Sequence, residues 1–285
     1  MSPSTHLGSG ALLGRDHHEI GELATSGEGS AAITLSRGGA AKTYGHTEPN
    51  EDAVYFARGR GGWLLAVADG HHGSSGSEAV IDHIASSLVA DWTGSASLGF
   101  DARTWKECSL DVLHDCGKAV LRRAAETGVM PAPTTLSLAL VRPGESALGW
   151  ISMGDSHIFC ADTQGIEELG WACLGREDRY FVGYAAASRN GMRDRSIAGY
   201  RELGETRALL LATDGLSETN IGVDCPSQAV ADAMAASETC NLETRALTLA
   251  ETLSRIAMAA HVTHRAGDNI GCAVLDLRGQ GVARD

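Results

Sequence analysis

An apolar run that stops abruptly on a carboxylate is the feature that most narrows what this chain can become. Trp63–Ala68, WLLAVA, contains no polar residue and is followed at once by Asp69-Gly70-His71. A short uninterrupted apolar segment bounded by turn residues reads as a strand buried on both faces. The pattern recurs downstream in RALLLATDG, residues 207–215, where a second apolar strand ends on Asp214-Gly215. Asn50-Glu51-Asp52 and Asp268-Asn269 add two more acidic stops. Carboxylates at strand ends are held rigidly yet face solvent or a ligand, and four of them suggest one shared metal site.

The rest of the chain supplies layers to cover such strands. Gly59-Arg60-Gly61-Gly62 and Pro143-Gly144-Glu145 each separate two strand-like segments, which predicts hairpins. Residues 74–92 and 104–126 place apolar residues at helical spacing, among them Val80, Ile84, Trp105, Val112, Cys116 and Val120. A second helical pair is expected from Pro226 to about Ser237 and from Asn241 onward, the latter with Leu242, Ala246, Leu249, Leu253 and Ile256 on one face. Strands grouped with strands, plus two helix pairs, predict an α+β fold of antiparallel sheets covered by helices. Residues 1–30, rich in Gly, Ser, Thr and His, read as a flexible N-terminal extension, and residues 31–285 as a single domain.

Composition limits the function classes. The net charge of −13 argues against nonspecific binding to nucleic acid or to anionic membranes. No apolar run approaches the roughly 20 residues needed to span a bilayer. The N-terminus lacks a basic segment followed by a long apolar one, so no secretory signal is expected. Seven scattered cysteines with no Cys-x-x-Cys spacing indicate neither zinc nor a disulfide framework, and a cytoplasmic, reduced setting is expected.

Hard divalent cations such as Mg²⁺ and Mn²⁺ prefer carboxylate oxygens, backbone carbonyls and water. Glu51, Asp69, Asp214 and Asp268 would balance two such ions. Two ions about 4 Å apart can hold a bridging water and lower its pKa enough to give hydroxide, which attacks phosphorus in line. His71 stands where it could protonate the leaving oxygen. Taken singly, each of these aspartates has an ordinary reading as a turn former or cap, and His71 as a solvated loop residue.

Their ordered combination resembles the metal-dependent protein phosphatases of the 2C type. The resemblance runs over about residues 33–277 through Asn50-Glu51-Asp52-Ala53, Val67-Ala68-Asp69-Gly70-His71, Thr134-Thr135-Leu136, Gly154-Asp155-Ser156, Ala212-Thr213-Asp214-Gly215-Leu216-Ser217-Glu218 and Asp268-Asn269-Ile270. It implies a sandwich of two antiparallel β-sheets flanked by pairs of α-helices. It further implies that Asp69 bridges two Mn²⁺ or Mg²⁺ ions, with Glu51 and the Gly70 carbonyl on one and Asp214 and Asp268 on the other. Asp52 would orient a metal-bound water, Asp155 with Asp214 would hold a weaker third ion, and His71 would match the general acid.

The chain also departs from that family. The arginine that clamps substrate phosphate a few residues before the Asn-Glu-Asp motif is absent, leaving His46 or Lys42 as substitutes. His157 follows Gly154-Asp155-Ser156 where arginine is common. The segment at about 163–205, the family's flap, is atypical and contains Arg176, Arg179, Arg189, Arg193 and Arg195. The expected function is a Mn/Mg-dependent phosphomonoester hydrolase, a protein serine/threonine phosphatase using a metal-bridging hydroxide. The alternatives are a phosphatase of a small phosphorylated metabolite, and a catalytically weak regulator that binds a phosphoprotein.

Overall fold

The computed structural model describes residues 6–170, 180–184 and 189–278. The strands of the first half are β1 (His6–Leu13), β2 (Ala24–Glu28), β3 (Ala31–Ser36), β4 (Ala53–Gly59), β5 (Trp63–Ala68), β6 (Leu136–Arg142) and β7 (Ala147–Met153). They are followed by β8 (His157–Ala161), β9 (Ile166–Glu168), β10 (Ser196–Glu202), β11 (Ala208–Ala212) and β12 (Ile270–Asp276). The helices are α1 (Ser75–Ser87), α2 (Val89–Trp92), α3 (Ala102–Thr127), α4 (Arg189–Arg195), α5 (Pro226–Ser237) and α6 (Arg245–His264).

Two six-stranded sheets form, in the orders β1-β4-β5-β6-β7-β10 and β2-β3-β12-β11-β8-β9. All their pairings are antiparallel. The alternation of side chains along each strand then builds three cores. Trp63, Leu65 and Val67 of β5 meet Leu209 and Leu211 of β11 between the sheets. Leu64, Ala66 and Ala68 point the other way, into a core with α1 and α3. Leu210 and Ala212 pack against α5 and α6 on the outer face of the second sheet. Each central strand is therefore covered on both faces, which is why its sequence is continuously apolar rather than alternating.

The covering helices start and stop where their chemistry directs. Asp101 caps α3, its Oδ1 accepting the Thr104 amide at 2.7 Å, and Gly128 ends it at φ 71°. Asn241 Oδ1 likewise accepts the Thr244 amide at 3.0 Å, but α6 begins only at Arg245. Leu242 consequently precedes the helix and is exposed, contrary to its expected place on the apolar face.

The N-terminal expectation needs a larger correction. Residues 6–28 are not a loose extension: β1 pairs with β4 from His6 to Leu13, and β2 pairs with β3 from Ala24 to Glu28. Both are edge strands with one covered face, so they lack the apolar density that marks a central strand. Glycines let β1 lie close to its neighbours; a Cβ on Gly10 would come within 2.5 Å of the Phe56 ring. The expected flap at 163–205 is also partly ordinary sheet, since β9 pairs with β8 and β10 with β7. Residues 171–179 and 185–188, including Arg176 and Arg179, lie outside the described residues.

Register brings the acidic stops together. Ala53 pairs with Ala68, so Asp52 and Asp69 leave the first sheet side by side. Ala212 pairs with both Cys272 and His157, so the loops carrying Asp214, Asp268 and Asp155 leave the second sheet at one end.

Candidate metal centre

The loops at this end are tied to one another through backbone and hydroxyl groups. Thr135 Oγ1 accepts the Asp69 amide at 2.9 Å and contacts Ser156 Oγ at 2.7 Å, linking the Asp69 and Asp155 loops. Thr213 Oγ1 donates to Asp52 Oδ2 at 2.7 Å and accepts the Gly271 amide at 2.8 Å. Asn269 Oδ1 accepts the Glu51 amide at 2.9 Å. Gly70 is required where it stands, because a Cβ there would lie 2.4 Å from the Glu51 carbonyl oxygen. A side chain at that position would push the Glu51 and Asp69 loops apart.

Asp69, Asp155 and Asp214 each place a carboxylate oxygen within 4.8 Å of the others. They adjoin a cavity of about 280 Å³ lined by Lys42, Tyr44, Glu51, Asp69, Gly70, His71, His72, Asp214, Glu218 and Asp268, with Gly45 and Ile221. Glu51 is half committed, its Oε1 accepting the amides of Thr47 and Glu48 at 2.9 Å each. Asp52 sits behind the cavity, fully buried against Thr213. A larger cavity of about 420 Å³ lies at the opposite end of the first sheet, by Arg58 and Arg142, and its described lining holds one carboxylate, Glu145. Of these two cavities, the first carries the clustered carboxylates.

Burial and crowding set the electrostatics. Desolvation, then the charges of Asp214, Asp52, Asp268 and Asp155, hold the Asp69 carboxyl well above the usual carboxylate range. Desolvation and the neighbouring Asp268 and Asp155 do the same to Asp214. Burial pushes Asp52 up to about 7, with Lys42 opposing that shift. This is negative charge without enough positive charge beside it, which is the condition a bound cation relieves.

Among the described residues, Lys42 is the cation set against these carboxylates. Its Nζ lies 3.2 Å from Asp268 Oδ1, with both side chains over 90% buried. Burial alone would lower the Lys42 pKa, but Asp268, Asp52 and Asp69 outweigh it and raise it. Nζ also sits 5.4 Å from the centre of the Tyr44 ring, whose hydroxyl is raised by burial and by Asp268. His46, the other expected substitute for arginine, is exposed and turned to the Tyr44 carbonyl at 3.1 Å. Glu48 is turned away from the site, accepting the Ser74 amide at the start of α1 at 3.1 Å.

His71 is held beside this group. Its amide donates to the Pro133 carbonyl at 2.8 Å, and its Nδ1 lies 4.0 Å from Asp69 Oδ2. Phe181 packs on the ring with centroids 4.1 Å apart. Burial lowers the His71 pKa, with Asp155 opposing. Two arginines of the flap region have partners of their own: Arg189 pairs with Asp111 at 2.5 Å, and Arg195 stacks over Tyr180 at 4.6 Å.

Sequence patterns pointed to Glu51, Asp52, Asp69, Gly70, His71, Asp155, Asp214 and Asp268, and register gathers them all at one end. They gave no role to Tyr44, Phe181, Thr135 or Thr213. The threonines adjoin recognised motifs, at Thr134-Thr135-Leu136 and Ala212-Thr213-Asp214, and that adjacency is the signal available. Phe181 carries none, because its contact with His71 depends on Val182 bridging Thr134 across the fold.

An all-oxygen donor set, crowded and uncompensated, fits a hard divalent ion and not a soft one. A test follows from the raised carboxyls. A group whose folded pKa lies above its unfolded value stabilises the fold fully at low pH, and that stabilisation is lost as pH rises through the folded pKa. Asp52, Asp69 and Asp214 are all raised, whereas His71, being lowered, contributes above its unfolded value. The metal-free melting temperature is therefore expected to fall by about 5 °C between about pH 5 and 7.5, from above the unfolded carboxylate range up through the folded Asp52 value. Added Mn²⁺ should reverse the fall, with the larger gain at the higher pH. Calorimetry at constant ionic strength checks this, and a flat metal-free profile would count against a crowded centre.

Comparison with known proteins agrees with this fold. A family model for protein phosphatase 2C matches residues 41–260. Serine-threonine phosphatase 2C from Toxoplasma gondii superimposes with a TM-score of 0.63 at 16% identity, covering 94% of this chain and 99% of that one. Stp1 from Staphylococcus aureus gives 0.60 at 18% identity over 92% and 98% of the two chains. The catalytic domain of the phosphatase PstP, in complex with two manganese ions, gives 0.59 at 21% identity over 90% and 99%. Identities this low carry the fold alone. No curated protein sequence matches significantly. Among the described residues no helix is long and apolar enough to cross a membrane.

Proposed function

The chain belongs to the protein phosphatase 2C family, and from that premise we propose that it hydrolyses phosphoserine and phosphothreonine in proteins, using Mn²⁺ or Mg²⁺. The observation that carries this reading is the Asp69, Asp155 and Asp214 cluster beside the Lys42-lined cavity. Asp69, Asp214, Asp268, Glu51 and the Gly70 carbonyl would hold two ions, and Asp155 would help hold a third. Such ions supply neutralisation of phosphate charge and acidify water to a nucleophile near neutral pH.

The chain's own groups do the rest. Lys42, at the cavity wall beside Asp268, would grip the substrate phosphate. Asp52, fixed by Thr213, orients the attacking water from behind the cavity. His71 delivers a proton to the leaving serine or threonine oxygen, and Phe181 keeps its ring in place and shields it from water.

The supporting experiment compares leaving groups. With Mn²⁺, the protein should release phosphate from a phosphoserine peptide and from p-nitrophenyl phosphate. His71→Ala should lower the peptide rate at least about tenfold more than the aryl phosphate rate, because only the alkoxide needs the proton. Equal losses would remove His71 from this role. The small-metabolite reading rests on one observation, the monodentate Lys42 in place of an arginine fork. Efficient turnover of a metabolite with none of the peptide would install it instead.

A further inference from the structure

A half-buried chain of hydrogen bonds joins the β8–β9 hairpin to the turn after Asp214. His157 Nδ1 lies 3.1 Å from Glu168 Oε2, and His157 Nε2 lies 2.6 Å from Ser217 Oγ. A carboxylate can only accept, so Nδ1 carries a proton toward Glu168, while Nε2 pairs with the Ser217 hydroxyl. The other Glu168 oxygen accepts the Ile158 and Gly170 amides at 2.9 and 3.1 Å. The imidazole also stacks on Phe159 at 5.2 Å, only 12° from parallel. Glu168 is thus fixed by backbone, and it fixes the ring in turn.

The chain's place in the fold gives it a consequence. His157 opens β8 two residues after Asp155, and it forms the terminal rung with Ala212 of β11. Beyond that rung the two strands separate into the loops that carry Asp155 and Asp214. Ser217 follows Asp214 by three residues, and its amide donates to the Asp214 carbonyl at 2.7 Å. The His157–Ser217 bond therefore spans the two loops just where two of the three clustered carboxylates emerge. The Glu51 and Gly70 groups leave from the other sheet and are not tied by it.

We propose that Glu168, His157 and Ser217 form a positioning relay that sets the spacing of Asp155 and Asp214, and so the affinity for the ion these two share. The inference rests on the metal centre described above. Partners behind metal ligands typically govern about 10–100-fold in affinity through orientation alone.

The test is calorimetric titration of Mn²⁺ into metal-free wild type, Ser217→Ala and Ser217→Thr. Ser217→Ala should weaken one class of Mn²⁺ site about tenfold or more and leave the tighter class unchanged. Ser217→Thr, which keeps the hydroxyl, should restore it. The metal-free melting temperature of both variants should stay within about 2 °C of wild type, since a half-buried hydroxyl contributes little globally. Unchanged binding by Ser217→Ala would overturn the relay alone, as would an equal weakening of every site with a fall in melting temperature. No Mn²⁺ uptake by the wild type would overturn the relay together with the metal centre.

Discussion

Asp69→Asn is expected to abolish hydrolysis while making the metal-free protein more stable. The amide matches the carboxylate in shape, so packing and the Thr135 hydrogen bond to the Asp69 backbone should persist. What is lost is a charge that burial and the carboxylates of Asp214, Asp52, Asp268 and Asp155 all disfavour. Removing it relieves the metal-free fold, by about 3 °C or more in melting temperature. The same charge is crowded by four neighbouring carboxylates, and hence is well placed to hold a cation among them. Its loss should cost at least about 10³-fold in kcat/KM, equivalent to roughly 4 kcal/mol of transition-state stabilisation. A higher melting temperature beside a dead enzyme separates this outcome from misfolding. Retention of activity within about tenfold, or a less stable metal-free protein, would contradict it.

Lys42→Met should act on substrate phosphate and on metal-free stability, and the two effects should part company when metal is added. Lys42 and Asp268 form a buried pair, and removing one member of such a pair leaves an unpaired charge that costs about 3–5 kcal/mol. Mn²⁺ should restore most of that loss, because a cation then faces Asp268 again. Phosphate recognition should not recover. A charged hydrogen bond contributes about 1.5–3 kcal/mol, so KM for p-nitrophenyl phosphate should rise about 10–100-fold, and inhibition by inorganic phosphate should weaken in parallel. Lys42→Arg should retain most of the affinity. Unchanged KM and phosphate inhibition in Lys42→Met would show that the ammonium serves only Asp268.

Much of this was legible before any coordinates, and the reason is burial. β5 and β11 are covered on both faces, so their sequences are continuous apolar runs, and the aspartates that end them stand out sharply. Antiparallel hairpins at Gly59–Gly62 and Pro143–Glu145 follow from turn chemistry, and they fix which strand ends fall together. The edge strands were hidden by the same logic. β1 and β2 have one covered face and several glycines, so a genuine pair of strands has the composition of a loose tail.

Within the site, the residues carrying charge at strand ends were visible, and those acting through long-range contacts were not. Glu48 turns from the site to accept the Ser74 amide at the start of α1, and only the path of residues 44–50 determines that. Spacing alone does not separate Lys42 from His46; it is the fold that sets the Lys42 ammonium against Asp268 and leaves His46 exposed. His157 looked like a simple departure from a family pattern. Its partners Glu168 and Ser217 lie 11 and 60 residues away, and no local spacing connects them.

The most direct measurement is the rate of p-nitrophenyl phosphate hydrolysis as Mn²⁺ is titrated into metal-free protein and then withdrawn with EDTA. The expected result is turnover that rises with Mn²⁺ to saturation and disappears on chelation. A folded protein that takes up Mn²⁺ yet releases no phosphate from this substrate would contradict a binuclear phosphatase, and would leave a scaffold that binds phosphate without breaking its ester.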